Sequence, residues 1–150
     1  MREAHLFTTL ARQRSLFRSW LVFASALMPR GKLGRRHTEL VILRVAHLRD
    51  CAYEREHHLR LGARAGLSQQ QLAAVLGGPD EGALSGQERA LIAAVDELVE
   101  SAELSDACFD ALSRWLDPPR IVELCMLVGH YEMLATTIAA LRIPLDEPHA

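Results

Sequence analysis

An all-α bundle of about six to eight helices is the fold this 150-residue chain predicts, and three observations predict it. Hydrophobic residues make up 49% of the chain but aromatics only 5%, an Ala- and Leu-rich balance that suits packed helices better than sheets. No period-two alternation lasts beyond a few residues, whereas apolar positions recur at helical spacing along most of the chain. Helix-opening signals stand at regular intervals: Ser68 with Gln71, Ser85 with Glu88, and Asp117 before Pro118. The length favours one domain over residues 1–150, with room for a sizeable core.

The elements follow in order. Residues 4–28 form two helical pieces or one bent helix, with Leu6, Leu10, Leu16, Phe17, Trp20, Leu21 and Phe23 on the apolar side. The stretch 29–34 is a turn. A helix over residues 36–48 carries Leu40, Leu43, Val45 and Ala46, with Glu39 in its opening turn. Asp50 is expected to cap a second helix that starts at Cys51, and Gly66 stands where a left-handed terminating residue is expected. Ser68 opens a short helix through Leu76, and the 77–82 segment, the longest loop, is the expected place for mobility. Ser85 opens a helix to about Ser101 with Leu91, Ile92, Val95, Leu98 and Val99 inward. Ser105 caps a shorter one to about Leu116. The last helix runs from Pro118 to about Leu141, with Ile121, Leu124, Cys125, Val128, Leu134 and Ile138 apolar and a loose tail after Pro144.

Charge and cysteine content narrow the function. A net charge of −2 gives no general attraction to nucleic acid or to an anionic membrane. The basic cluster Arg30, Lys32, Arg35 and Arg36 reads as a solvated helix end, and the apolar run 20–28 is too short to span a bilayer. Cys51, Cys108 and Cys125 are an odd count at irregular spacing, neither a disulfide framework nor a zinc ribbon. With no signal-peptide pattern in the first residues, a cytoplasmic location with reduced thiols is expected.

The chemistry concentrates in residues 39–66. On one helix Cys51, Glu54 and His58 fall at i, i+3 and i+7 and share a face. Cys51 at a helix start would be favoured as thiolate, with His58 as acceptor of its proton. Glu54 opposes this, since a carboxylate beside a thiolate raises the thiol pKa. Glu39, on the preceding helix, would orient His58 if the joint at 49–50 folds back. The plain alternative is a buried cysteine on an amphipathic helix with solvated Glu and His. Cys108 and Cys125 lie on apolar faces and read as core. His47 with Glu39, Glu54 and His58 offers ligand types suited to zinc or iron, but no compact helical zinc motif is present, so no metal and no cofactor are expected. His57 points away from His58's face, and His130 and Tyr131 are candidates to border a pocket.

Glu39, Cys51, Glu54 and His58, followed by a Gly-Leu-Ser turn at 66–68, resemble the carboxymuconolactone decarboxylase family, which includes alkyl hydroperoxidase D. The resemblance spans about residues 15–145. In the hydroperoxidase branch the pattern is a glutamate, a Cys-x-x-Cys pair and a histidine; Glu54 replaces the second cysteine here. The resemblance implies an alkyl hydroperoxidase D-like bundle that assembles as a homo-oligomer, a trimer or hexamer. Independently, the apolar helical faces exceed what one small bundle can hide, with Trp20, Phe17 and Phe23 expected to be covered by a neighbour. The resemblance also implies a peroxiredoxin-type antioxidant activity on a hydroperoxide. Cys51 would be the peroxidatic thiol, His58 its base, Glu39 the partner of His58 and Glu54 a further acid–base group. The alternative within the family is a decarboxylase acting on a small carboxylic acid or lactone, with Glu39, Glu54 and His58 moving protons and Cys51 lining the pocket. A third reading is a non-catalytic oligomer that binds a small ligand.

Overall fold

The computed structural model describes residues 4–28, 30–80 and 82–146. Eight helices and no strands occur among them: α1 (His5–Leu10), α2 (Arg14–Leu27), α3 (Arg35–Leu48), α4 (Ala52–Arg64), α5 (Gln69–Val75), α6 (Gly86–Ser101), α7 (Asp106–Ser113) and α8 (Pro118–Ala140). The bundle is built around α3, which packs against α4, α6 and α8. Leu40, Val41, Ile42, Leu43 and Val45 on α3 are wholly buried, each such side chain contributing roughly 1.5–3 kcal/mol. Its two ends and Arg44 are less covered, and Arg44 pairs with Asp96 of α6 through two hydrogen bonds of 2.6 and 2.9 Å.

Most of the expected punctuation forms. Ser68 and Ser85 each accept from the backbone N–H three residues on, and Gln71 and Glu88 reach back to complete both capping boxes. Asp117 caps α8 with Pro118 at its first position. Gly66 takes φ +89°, and the Leu67 N–H reaches the Gly62 carbonyl at 3.0 Å, so α4 ends in a Schellman motif. Residues 4–28 resolve into two helices because the Gln13 side chain accepts from Ser15 N and Leu16 N and starts α2 afresh.

Several expectations need correction. Asp50 does not cap α4; Cys51 occupies that position. Asp50 instead takes φ +46° and closes α3, with Asp50 N bonded to the His47 carbonyl and Cys51 N to that of Ala46. Cys125 is exposed rather than core, because α8 buries Leu124, Leu127 and Val128 and turns position 125 outward. On α2 only Leu27 is buried, while Leu16 is 63% and Leu21 38% exposed. α7 stops at Ser113, three residues short of Leu116. The tail is held as far as Asp146: its Oδ1 accepts from His5 N (2.8 Å) and its Oδ2 from the Tyr53 hydroxyl (2.8 Å). Residues 147–150 of the tail, Glu81 of the 77–82 loop and Pro29 of the first turn lie outside the described residues. In that loop Asp80 caps the returning chain through Leu84 N (2.8 Å).

Candidate active site

The Schellman turn at Asp50 lays α4 against α3 and brings Glu39 to His58. The His58 Nδ1–H donates to Glu39 Oε2 at 2.7 Å, with both side chains buried. A carboxylate only accepts, so this bond places a proton on Nδ1 and turns Nε2 toward the other wall. There Glu54 Oε2, one helical turn earlier on α4, lies 3.3 Å from Nε2, and the Tyr131 hydroxyl of α8 lies at 3.3 Å. Arg35, a turn before Glu39 on α3, brings its guanidinium to 2.7 Å from Glu39 Oε1, an ion pair off the line of an aligned hydrogen bond.

Four elements of the electrostatics follow. Burial alone would lower the His58 pKa, but the hydrogen bonds and charges of Glu39 and Glu54 outweigh it and hold the value raised. Burial, reinforced by Glu54 and Glu39, raises the Tyr131 phenol well above its ordinary range, which keeps it a hydrogen-bond donor. Burial lowers His130 toward the neutral form. Glu54 Oε1 is buried and meets no partner.

Glu54, His58, Tyr131 and His130 line a cavity of about 260 Å³ whose remaining wall is mostly apolar, from Leu6, Trp20, Leu27, Met28 and Leu134 among others. The Trp20 indole N–H donates to His130 Nε2 at 2.8 Å. Phe7, Phe17 and Trp20 pack edge-on or stacked on one another, which leaves Trp20 half-buried. Phe23 closes edge-on over His130 at 5.4 Å. A larger groove of 730 Å³ runs between Leu10, Leu16 and Phe17 on one side and Met133, Leu141 and Ile143 on the other, with Arg12 and Arg142 as its charged groups and no acid–base pair.

Of the four residues singled out by sequence, three converge and the fourth stands apart. Glu39, Glu54 and His58 form one chain of contacts. Cys51 is not among the cavity-lining residues; it is buried beside the cavity in a cluster with Leu6, Tyr53, Ala135, Ile138 and Ile143, of which Leu6 and Tyr53 do line it. Burial pushes its thiol up, and so does the Glu54 charge; the Glu54 and Tyr53 backbone groups pull the other way without winning. Burial thus outweighs the thiolate preference expected of the helix start. Nor does His47 join the others: its ring packs against Gly77, where an added Cβ would meet Nε2 at 2.8 Å. Among the described residues no three His, Cys, Asp or Glu side chains are grouped to hold a metal ion. His57 is exposed as expected, yet it also borders the cavity mouth with Asp146. No local sequence signal marks Trp20 and Tyr53 as site residues, whereas His130 and Tyr131 of α8 both line the cavity as expected.

A family model, the carboxymuconolactone decarboxylase family, matches residues 14–97. Solved structures with the same fold include a protein of unknown function from Agrobacterium tumefaciens, named as a candidate antioxidant defence protein AhpD, with a TM-score of 0.83 and 22% identity over 93% of this chain and 97% of that one. An alkylhydroperoxidase AhpD core, an uncharacterised peroxidase-related protein from Ralstonia eutropha JMP134, aligns with a TM-score of 0.85 and 16% identity over 96% and 77%. The debrominase Bmp8 in complex with 2,3,4-tribromopyrrole aligns with a TM-score of 0.83 and 14% identity over 95% and 77%. At these identities the structural likeness establishes the fold alone. No curated protein matches the sequence.

Proposed function

Because the chain belongs to the carboxymuconolactone decarboxylase family, we propose that it is a small-molecule enzyme in which Glu54 and His58, rather than the Cys51 thiol, carry the chemistry. One observation carries this reading: Glu54 and His58 meet at 3.3 Å in the wall of an apolar cavity, and Cys51 lies outside that wall. The substrate class that fits is a small, largely apolar carboxylic acid or lactone. Glu54 Oε1, free of partners, takes a proton from the bound molecule or returns one. His58 steadies the Glu54 charge through Nε2, Glu39 fixes the ring through Nδ1, and Tyr131 supplies a further donor at the same edge. In a mostly apolar site, with both side chains buried, these fixed charges act with reduced solvent screening.

The test pairs two variants with two substrates. Glu54→Gln should lower turnover of a small lactone acid by about 100-fold or more, and Cys51→Ser should leave it within a few-fold, as expected for loss of a general base and of a bystander. The opposite pattern, with Cys51→Ser inactive and Glu54→Gln active, would refute the assignment.

The second reading is a one-cysteine hydroperoxidase, favoured by the place of Cys51 at the α4 N-cap, where backbone groups of Glu54 and Tyr53 pull its pKa down against the burial that holds it raised. All three cysteines are free, and position 54 offers no resolving thiol. A peroxide would oxidise Cys51 to a sulfenic acid, releasing water or alcohol, and an added thiol would then reduce it through a mixed disulfide. Under this reading a dimedone adduct forms at Cys51 after mild peroxide, and turnover with small thiols vanishes in Cys51→Ser.

A further inference from the structure

His130, on α8, is 6% exposed and sits between Trp20, Phe23 and Tyr131. Its protonation can be read from geometry. An indole N–H is a donor only, so the 2.8 Å bond from Trp20 Nε1 requires a lone pair on His130 Nε2. The neutral ring must then carry its proton on Nδ1. The same bond fixes the ring orientation, since a flipped ring would present carbon to the indole. His130 Nδ1 is buried and has no partner.

A buried N–H without an acceptor loses the hydration it had in the unfolded chain and receives nothing in exchange. Such groups are rare and need a reason. Here the orphan donor is one of two on side chains that line the same cavity: Glu54 Oε1 is an orphan of the opposite sense, and both side chains are more than nine-tenths buried. Burial also disfavours a charged His130, so the donor is neutral and does not attract a bare anion by charge. A donor and an acceptor in one small apolar cavity match a molecule carrying a carbonyl or carboxyl oxygen beside a removable proton.

We propose that His130 is a substrate-binding residue whose Nδ1–H, held in that tautomer by Trp20, donates to a carbonyl or carboxyl oxygen of the molecule that Glu54 acts on. This rests on the reading of the Glu54–His58 cavity as the substrate site and extends it to the group that selects the substrate. Trp20 is then a positioning residue: it touches no substrate atom in this scheme and acts by setting the tautomer.

The test uses two probes of nearly the same shape, cyclohexanone and methylenecyclohexane, which differ in having a carbonyl oxygen or a methylene. The wild-type chain should bind cyclohexanone more tightly by roughly 3- to 10-fold, the worth of one neutral hydrogen bond. His130→Phe should bring the ratio close to one, and His130→Gln, which retains an N–H donor, should restore part of it. In ¹⁵N-labelled wild-type protein, cyclohexanone should move the His130 Nδ1 resonance and methylenecyclohexane should not, a readout that does not depend on any variant folding. A wild-type ratio near one, a ratio unchanged in His130→Phe, an Nδ1 resonance that ignores cyclohexanone, or no binding of either probe would each overturn the proposal. The acid–base reading fails separately. An active Glu54→Gln with a carbonyl preference lost in His130→Phe removes that reading and keeps this one.

Discussion

His58 is pinned by carboxylates on both ring nitrogens, and that arrangement dictates how it titrates. Burial disfavours the imidazolium, but Glu39 and Glu54 together favour it more, so the folded-state pKa lies above the ordinary 6.5. The sign of the linkage follows. The stability this group contributes is fully present below about pH 6.5, the unfolded value, and is lost as pH rises through the higher folded value. A ¹H NMR titration of the histidine Cε1 protons should therefore find one ring still protonated above pH 6.5, and in Glu39→Gln that ring should titrate lower. A His58 titration unchanged by Glu39→Gln would remove Glu39 as its anchor. Cys51 gives a second residue-level prediction. Its thiol is buried and its pKa raised, so iodoacetamide should modify it slowly at neutral pH, with a rate that climbs as pH rises. Rapid labelling of Cys51 at pH 7 would restore the thiolate that the helix start suggested from sequence.

At the scale of elements, α6 is held at its start by a shared carboxylate. Glu88 closes the capping box with Ser85 and also accepts from Arg36 Nε of α3 at 2.8 Å, while the other end of Arg36 reaches the Gly66 carbonyl at 2.7 Å. One guanidinium thus ties the first turn of α6 to the end of α4. Ser85→Ala should lower stability by about 1 kcal/mol, the usual cost of a lost cap, and Glu88→Ala should cost more because Arg36 also loses its carboxylate partner. Urea midpoints would rank the two; an equal loss would mean the Arg36 link contributes nothing. The cap residues that make this prediction possible are also what made the fold legible, since Ser68, Ser85, Ser105 and Asp117 all open the helices their chemistry announces. Asp50 was misplaced because aspartate suits a helix start and tolerates a left-handed helix end, and local sequence does not choose between them. Cys125 was misplaced because α8 is apolar on nearly every side, which leaves no polar stripe to orient it. At the site, Glu54 and His58 were readable as an i, i+4 pair. Trp20 and His130 are 110 positions apart, and Tyr53 and Asp146 are 93 apart, so no local pattern could join them.

The whole molecule leaves apolar surface uncovered. α8 turns Val122, Met126 and Met133 outward at 63%, 48% and 48% exposure, with open space over Gly129 between them, and α2 adds Leu16 and Val22. α8 is long and apolar enough to cross a membrane, but half of its most apolar stretch is buried inside the bundle, as in a core helix. A second copy of the chain, in the expected trimer or dimer of trimers, is the occupant we propose for this stripe. Light scattering at micromolar concentration should give a multiple of 16.7 kDa, and Met126→Glu should shift the mass toward the single chain. A wild-type mass of one chain would exclude the assembly. The placement of α3 carries a different consequence, one of opening and closing rather than of shape. A helix ringed by α4, α6 and α8 has no route to solvent that spares its neighbours, so deuterium should reach the amides of Leu40, Val41, Ile42 and Leu43 only when the entire bundle opens. α1, with Leu6 as its one buried residue, should exchange far sooner through local fraying. Glu39 rides on the segment expected to exchange slowest. The carboxylate that holds His58 should thus stay in place through every local opening that leaves α3 packed.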